Sequence, residues 1–125
     1  MSDIRDSEHL SGREKAMQEI MMLARELGYE STSELEAIER EIGESRIPEN
    51  EDRLIGVWWV KAERKHPGAG GHVEVKSDIA NLLARSKVLL SIGRMGDARE
   101  DIREAIQYAH QAGLDELTER LKKFL

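Results

Sequence analysis

The stretch LLSIGRMGDAREDIREAIQYAH, residues 89–110, decides the fold class because it joins two amphipathic helices through a tight turn. Gly93 lies in the turn, and the DARE sequence at 97–100 has the form of a capping box, whose end side chains bind free backbone N–H groups. The apolar residues that follow recur at helical spacing: Ala98, Ile102, Ala105, Ile106 and Ala109. Gly113 then favours a helix end. The stretch therefore predicts a helical hairpin.

The same signals along the rest of the chain predict six helices in all. Their expected ranges are 11–27, 33–42, from 48–50 to 66, from 73–79 to 92, 97–112 and 115 onward. Residues 1–10 are predicted to be a disordered tail, and the glycine-rich residues 67–72 a flexible loop. No two segments alternate like paired strands. We therefore predict one all-α domain over residues 1–125, a compact bundle of five to six antiparallel helices.

Two of the predicted helices are apolar on more than one side. The helix that ends near residue 92 has two apolar faces and is expected to be the central one. In the helix after residue 48, Val57 and Val60 lie away from the face that carries Trp58. We expect Trp58 in the core and Trp59 at a boundary or interface, where tryptophan is enriched.

Composition excludes several classes of function. The chain has 125 residues, a net charge of −6 and no cysteine, which rules out disulfides, zinc–thiolate sites and thiol catalysis. Residues 1–50 hold 13 acidic and 6 basic side chains, so a general DNA-binding role is disfavoured. No apolar run is long enough to span a membrane. We expect a cytoplasmic protein that binds neither DNA nor a membrane.

The spacing of small and apolar residues resembles a tetratricopeptide repeat, a helix–turn–helix unit, over residues 79–112. The positions that carry the resemblance are Leu82, Ser86, Leu89, Gly93, Ala98, Ile102 and Ala105. The sequence departs from that repeat at Leu82, Arg85 and His110, where the family favours tryptophan, leucine and proline, and residues 1–78 hold no second copy. The resemblance implies a non-enzymatic adaptor that binds a protein or peptide in an apolar groove between helices.

The candidate partner-binding residues are the side chains that can re-pack against varied partners, together with the boundary tryptophan. They are Met17, Met21, Met22, Trp59 and Met95. Self-association into a homodimer through the apolar surfaces of the first and third helices is also expected.

Arg103 and His110 support an alternative reading. They are two helical turns apart and point the same way, about 10 Å apart along the axis. This spacing resembles the arginine–histidine motif of the HEPN superfamily, helical bundles that dimerise and cleave RNA. The resemblance implies His110 as the acid/base and Arg103 as the phosphate-stabilising group. Glu104, after Arg103, departs from that motif.

The sequence gives little support for a phosphate-binding loop or a metal site. The loop at 67–72 follows no strand and precedes no Gly-Lys-Ser/Thr sequence, so it does not match a phosphate-binding loop. The glutamates within residues 34–44 lack the Glu-x-x-His motifs of dinuclear metal bundles and are expected to form a solvated face. No metal and no cofactor are expected.

Overall fold

The computed structural model describes the backbone of residues 2–65 and 71–125 and the side chains of residues 12–65 and 75–125. In these ranges the chain forms six α-helices and no β-strand, which confirms the predicted all-α class. The helices are α1 (Ser2–Glu26), α2 (Ser33–Glu44), α3 (Pro48–Lys65), α4 (Gly71–Ser91), α5 (Met95–Gln111) and α6 (Asp115–Lys122). From α2 to α6 each helix contacts the next, and α1 packs against α4.

α1 begins earlier than the sequence predicts. It starts at Ser2, so the predicted tail at 1–10 is helical from Ser2 onward, and the expected capping box at 11–14 lies inside the helix. Residues 2–11 contain no proline or glycine. Their composition therefore offers nothing to stop the helix from extending toward the N-terminus.

α5 also begins early, at Met95 rather than at the DARE motif of residues 97–100. The Asp97 carboxylate accepts a hydrogen bond from Arg94 Nε at 2.8 Å, and no side chain caps the helix start. The Asp97 carboxylate thus pairs with Arg94, and not with the free backbone N–H groups that it would bind in a capping box.

Two further boundaries differ from the prediction. α2 continues through Gly43, the expected stop, and ends at Glu44. Of the loop predicted at 67–72, residues 67–70 lie outside the described part of the chain, and α4 already begins at Gly71.

α4 is the central helix, as predicted. It packs against α1, α3 and α5, so both of its apolar faces are covered. Its buried apolar residues are Ile79, Ala80, Leu82, Leu83, Ala84, Val88, Leu89 and Leu90. A helix that is apolar on two sides is stable in water only when neighbours cover both. α1, α3 and α5 are therefore arranged around α4.

Two glycines with positive φ end the helices of the C-terminal half. Gly93 has φ 79° and Gly113 has φ 74°, values that glycine adopts without the steric cost of a β-carbon. After each one, a backbone N–H binds a carbonyl of the last turn: Arg94 to Leu89 and Leu114 to Ala109, both at 2.9 Å. These bonds satisfy carbonyls that a helix end would otherwise leave free.

α3 has one buried face and one exposed face. Leu54, Trp58 and Ala62 are buried, and only 1% of Trp58 is accessible. Trp59 is half-buried, which confirms its predicted place at the boundary. Val57 and Val60 are exposed, Val60 to 49%.

A charged pair joins α4 to α5 inside the bundle. Arg85 Nε and Nη2 donate to Asp101 Oδ2 and Oδ1 at 2.9 and 2.8 Å. The same guanidinium lies over the Trp59 ring, 4.1 Å from its centroid, and so ties α3 to the pair. Burial is the largest influence on the pKa of the Asp101 carboxyl and raises it, although the Arg85 guanidinium acts in the opposite direction. Sequence analysis did not identify this cluster.

Asn81, on α4, is a buried polar residue whose hydrogen bonds are not made. Only 1% of it is accessible, and neither Nδ2 nor Oδ1 has a hydrogen-bond partner among the described residues. A buried amide without a partner loses its hydration and gains nothing in return. Asn81 therefore lowers the stability of the fold.

We expect Asn81→Leu, which replaces the amide by an apolar group of similar size, to raise the free energy of unfolding by about 1–2 kcal/mol. Urea unfolding followed by circular dichroism measures the change. Ser86 provides the control, because it is equally buried but its hydroxyl donates to the Leu83 carbonyl at 2.7 Å. Ser86→Ala is expected to bring no gain. A loss of stability in Asn81→Leu would contradict this reading of the amide.

Candidate partner-binding site

Three of the predicted partner-binding residues line one cleft between α1 and α2. Met17, Met21 and Met22 supply its apolar surface from α1, and Lys87 reaches it from α4. The cleft encloses about 580 Å³. Its remaining lining residues are Glu14, Gln18, Arg25, Ser31, Glu36 and Glu39. We call this feature the methionine cleft.

The methionines differ in burial. Met17 and Met21 are half-buried and pack against the core, whereas 60% of Met22 is accessible. Met22 therefore lies off the buried stripe of α1. Unbranched thioether side chains change rotamer readily and can fit surfaces of different shape. The cleft therefore has an apolar floor that can adapt.

Polar groups surround this floor. Lys87 Nζ donates to Glu39 Oε1 at 3.2 Å, and Ser31 Oγ donates to Glu36 Oε1 at 3.0 Å. Together with Glu14, the rim carries three carboxylates against the two cations Arg25 and Lys87. The methionine cleft thus combines apolar contact surface with a slightly acidic edge.

The corner between α1 and α2 lies next to the cleft, which Ser31 lines. Gly28, at φ 108°, reverses the chain after α1, and Tyr29 is buried directly after it. Burial raises the pKa of the Tyr29 phenol, and the Glu39 carboxylate raises it further. A neutral phenol therefore anchors the corner beside the cleft.

The two other predicted partner-binding residues lie elsewhere. Met95 is exposed and lines a separate groove between α1 and α5. Trp59 packs on α3 against Arg85 and lines neither cavity. The five residues predicted from sequence therefore do not form one continuous surface.

The residues of the ribonuclease alternative are both exposed on α5. Arg103 Nη1 donates to Glu100 Oε1 at 2.7 Å, an intrahelical pair one turn apart. Neither Arg103 nor His110 lines the methionine cleft or the groove that contains Met95.

Within the described side chains, no group of three or more histidine, aspartate or glutamate residues could hold a metal ion. Nor does any helix, over the part of the chain described, have an apolar stretch long enough to cross a bilayer.

Comparison with protein-family models, curated proteins and solved structures gives no match to this chain.

The polar members of the cleft were not identified from sequence. The glutamates of 34–44 were predicted to form a solvated face; Glu36 is exposed as predicted, Glu39 is half-buried, and both border the methionines. Their position beside the buried stripe of α2 is a partial sequence signal for their place in the cleft. No sequence signal predicts the ion pair between Glu39 and Lys87, which are far apart in the chain.

Proposed function

We propose that the protein is a non-enzymatic interaction module that binds a protein or peptide partner in the methionine cleft. The observation that carries the proposal is the clustering of Met17, Met21 and Met22 in one cavity with a polar rim. Apolar floors with polar edges are the usual form of sites that take up a helix or an extended segment.

The chemistry of the cleft defines the segment that fits it. Apolar side chains of the partner displace water from the methionines, at about 25 cal/mol for each Å² of apolar surface removed from water. The carboxylates Glu14, Glu36 and Glu39 favour lysine or arginine at the flanks of the segment. The expected partner is thus an amphipathic segment with basic flanks.

In this proposal the α4–α5 hairpin is a tetratricopeptide-like scaffold. Ala98, Ala105 and Ala109 are fully buried on the inner face of α5, and Gly93 forms the turn. Small residues at a helix contact let the two backbones approach closely. α4 of this hairpin packs against α1, and the side of α1 that carries the methionines remains accessible to a partner.

We also propose that the protein forms a homodimer through the exposed face of α3. Val57 and Val60 are exposed on α3, and with Gly56 they line a shallow depression bordered by Arg53 and Arg64. This apolar pair is separate from the methionine cleft.

Capture of partners from a nuclease-treated cell lysate tests the proposal, with the wild type compared to Met22→Asp and to the control Ile47→Asp. Both residues are exposed apolar side chains, so both variants are expected to fold, and Ile47 lines neither the methionine cleft nor the groove that contains Met95. A carboxylate placed against an apolar partner must be desolvated, and we expect recovery of the partner to fall about tenfold or more in Met22→Asp. Ile47→Asp should retain it.

Three results would contradict the proposal. Equal recovery of the partner by Met22→Asp and by the wild type would show that the partner does not bind in the methionine cleft. RNA that is cleaved in a His110-dependent manner would favour the ribonuclease. If only the protein's own untagged copies were recovered, the result would support the homodimer through α3 and contradict a partner in the methionine cleft.

A further inference from the structure

A second groove lies on the other side of α1, between α1 and α5. Both helices pack on α4, and the space between them encloses about 730 Å³. Its floor is formed by Ile20, Leu90, Ala98 and Ile102, and α6 with the residues after it closes one end through Lys123 and Phe124. We call it the α1–α5 groove.

The α1–α5 groove offers apolar surface at its edges as well as its floor. Met95 is exposed, and Ala16 and Phe124 are half-buried. The α1 residues that line it, from 12 to 20, extend over about 12 Å of helix, which corresponds to roughly two turns. A short helical segment therefore matches its length.

Positive charge distinguishes this groove from the methionine cleft. Arg13, Lys15, Arg99 and Lys123 line it, with Glu19 as the one carboxylate among its described lining residues. All four cations are exposed, and none forms an ion pair within the part of the chain that is described. This concentration of positive charge occurs in a chain whose net charge is −6.

The methionine cleft and the α1–α5 groove thus have opposite charge. The methionine cleft has more carboxylates than cations along its edge, and the α1–α5 groove has four cations to one carboxylate. Complementary charge selects partners and steers their approach, whereas like charges exclude them. The same segment is therefore poorly suited to both sites.

We infer that the α1–α5 groove binds an acidic amphipathic helix of a partner protein. Apolar side chains on one face of that helix contact Met95, Ala16 and Phe124. Glutamate or aspartate residues on its flanks pair with Arg13, Lys15, Arg99 and Lys123. The inference is independent of the partner in the methionine cleft, because it depends on different residues and on the opposite charge.

A fluorescein-labelled helical peptide of about 16 residues tests the inference by fluorescence anisotropy. The peptide carries leucine at helical spacing and glutamate at its other positions, and a second peptide carries lysine in place of glutamate. The full-length protein is compared with Arg99→Glu/Lys123→Glu. Arg40→Glu/Arg46→Glu is the matched control, because Arg40 and Arg46 are exposed cations outside both cavities and the change in net charge is the same.

The acidic peptide is expected to bind the wild type, the matched control and Met22→Asp equally well. In Arg99→Glu/Lys123→Glu its dissociation constant should rise at least about tenfold. Amide resonances that shift on binding should lie in 12–20 and 95–102. The inference is overturned if the acidic peptide does not bind, if both charge-reversal variants weaken it equally, or if the basic peptide or a single-stranded RNA occupies the groove instead.

Discussion

Trp58→Ala is expected to lower the free energy of unfolding by about 3–5 kcal/mol, the usual cost of removing a large aromatic side chain from a core. Trp58 is 1% accessible and is the largest fully buried side chain of the bundle's described residues. Its removal leaves a cavity between α3 and its neighbours that rigid helices cannot fill. Urea unfolding followed by circular dichroism at neutral pH gives the value.

Val60→Ala is the control on the same helix. Val60 is exposed to 49%, so its truncation is expected to change stability by less than about 0.5 kcal/mol. Trp58→Phe keeps an aromatic ring and removes an indole N–H that has no partner among the described residues, so it should cost less than Trp58→Ala. Equal effects of Trp58→Ala and Val60→Ala would show that the orientation of α3 is wrong.

Arg85→Leu is expected to lower the free energy of unfolding by about 2–4 kcal/mol, because it leaves the Asp101 carboxylate buried without its cation. The loss is smaller than for a fully enclosed pair, since 23% of the Arg85 side chain is accessible. Leucine is also the residue that the tetratricopeptide resemblance favours at this position. A substitution toward that pattern is thus expected to destabilise this chain.

The pH dependence of the Arg85→Leu effect has a defined sign. Burial already raises the pKa of Asp101, and loss of Arg85 removes the main influence that lowers it. A carboxyl whose pKa is raised by folding contributes stability in acid and loses it as the pH rises through the folded-state pKa. The deficit of Arg85→Leu should therefore be largest near neutral pH and shrink in acid.

The double variant Arg85→Leu/Asp101→Leu tests the cause of that deficit. It replaces both charges by apolar groups and should recover most of the stability lost in Arg85→Leu. If the double variant is less stable than Arg85→Leu, the destabilisation does not come from an unpaired carboxylate.

Much of the fold is encoded in local patterns. The two apolar faces of α4 predict its central position, because no arrangement leaves both faces in water at low cost. The apolar stripe of α2, Leu35, Ile38 and Ile42, is buried as its spacing predicts. The stop predicted at Gly113 and the turn predicted at Gly93 coincide with the positive φ angles of these residues.

Helix starts were less predictable, because a capping motif competes with other partners for the same side chain. Asp97 binds Arg94 instead of the backbone, and α5 begins at Met95. At residues 11–14 the motif is present, but the preceding segment contains nothing that breaks a helix, and α1 continues to Ser2. Such motifs favour a boundary without requiring one.

The candidate site was predictable only where its residues share one helix. Met17 and Met21 lie one turn apart on α1 and Met22 is next to Met21, so their proximity follows from helical spacing. Glu39 and Lys87 meet only because α2 and α4 are placed together by the fold. The same holds for Arg85 and Asp101, whose contact depends on how α4 and α5 pack.

The measurement that tests the proposed function most directly is photo-cross-linking from position 22 of the full-length protein in cells. A photoreactive phenylalanine analogue replaces Met22 in one sample and the exposed Arg40 in the control. The account predicts one discrete protein adduct from position 22 that is absent from position 40. Adducts to RNA alone, or the same pattern of adducts from both positions, would contradict the proposal that the methionine cleft binds a protein partner.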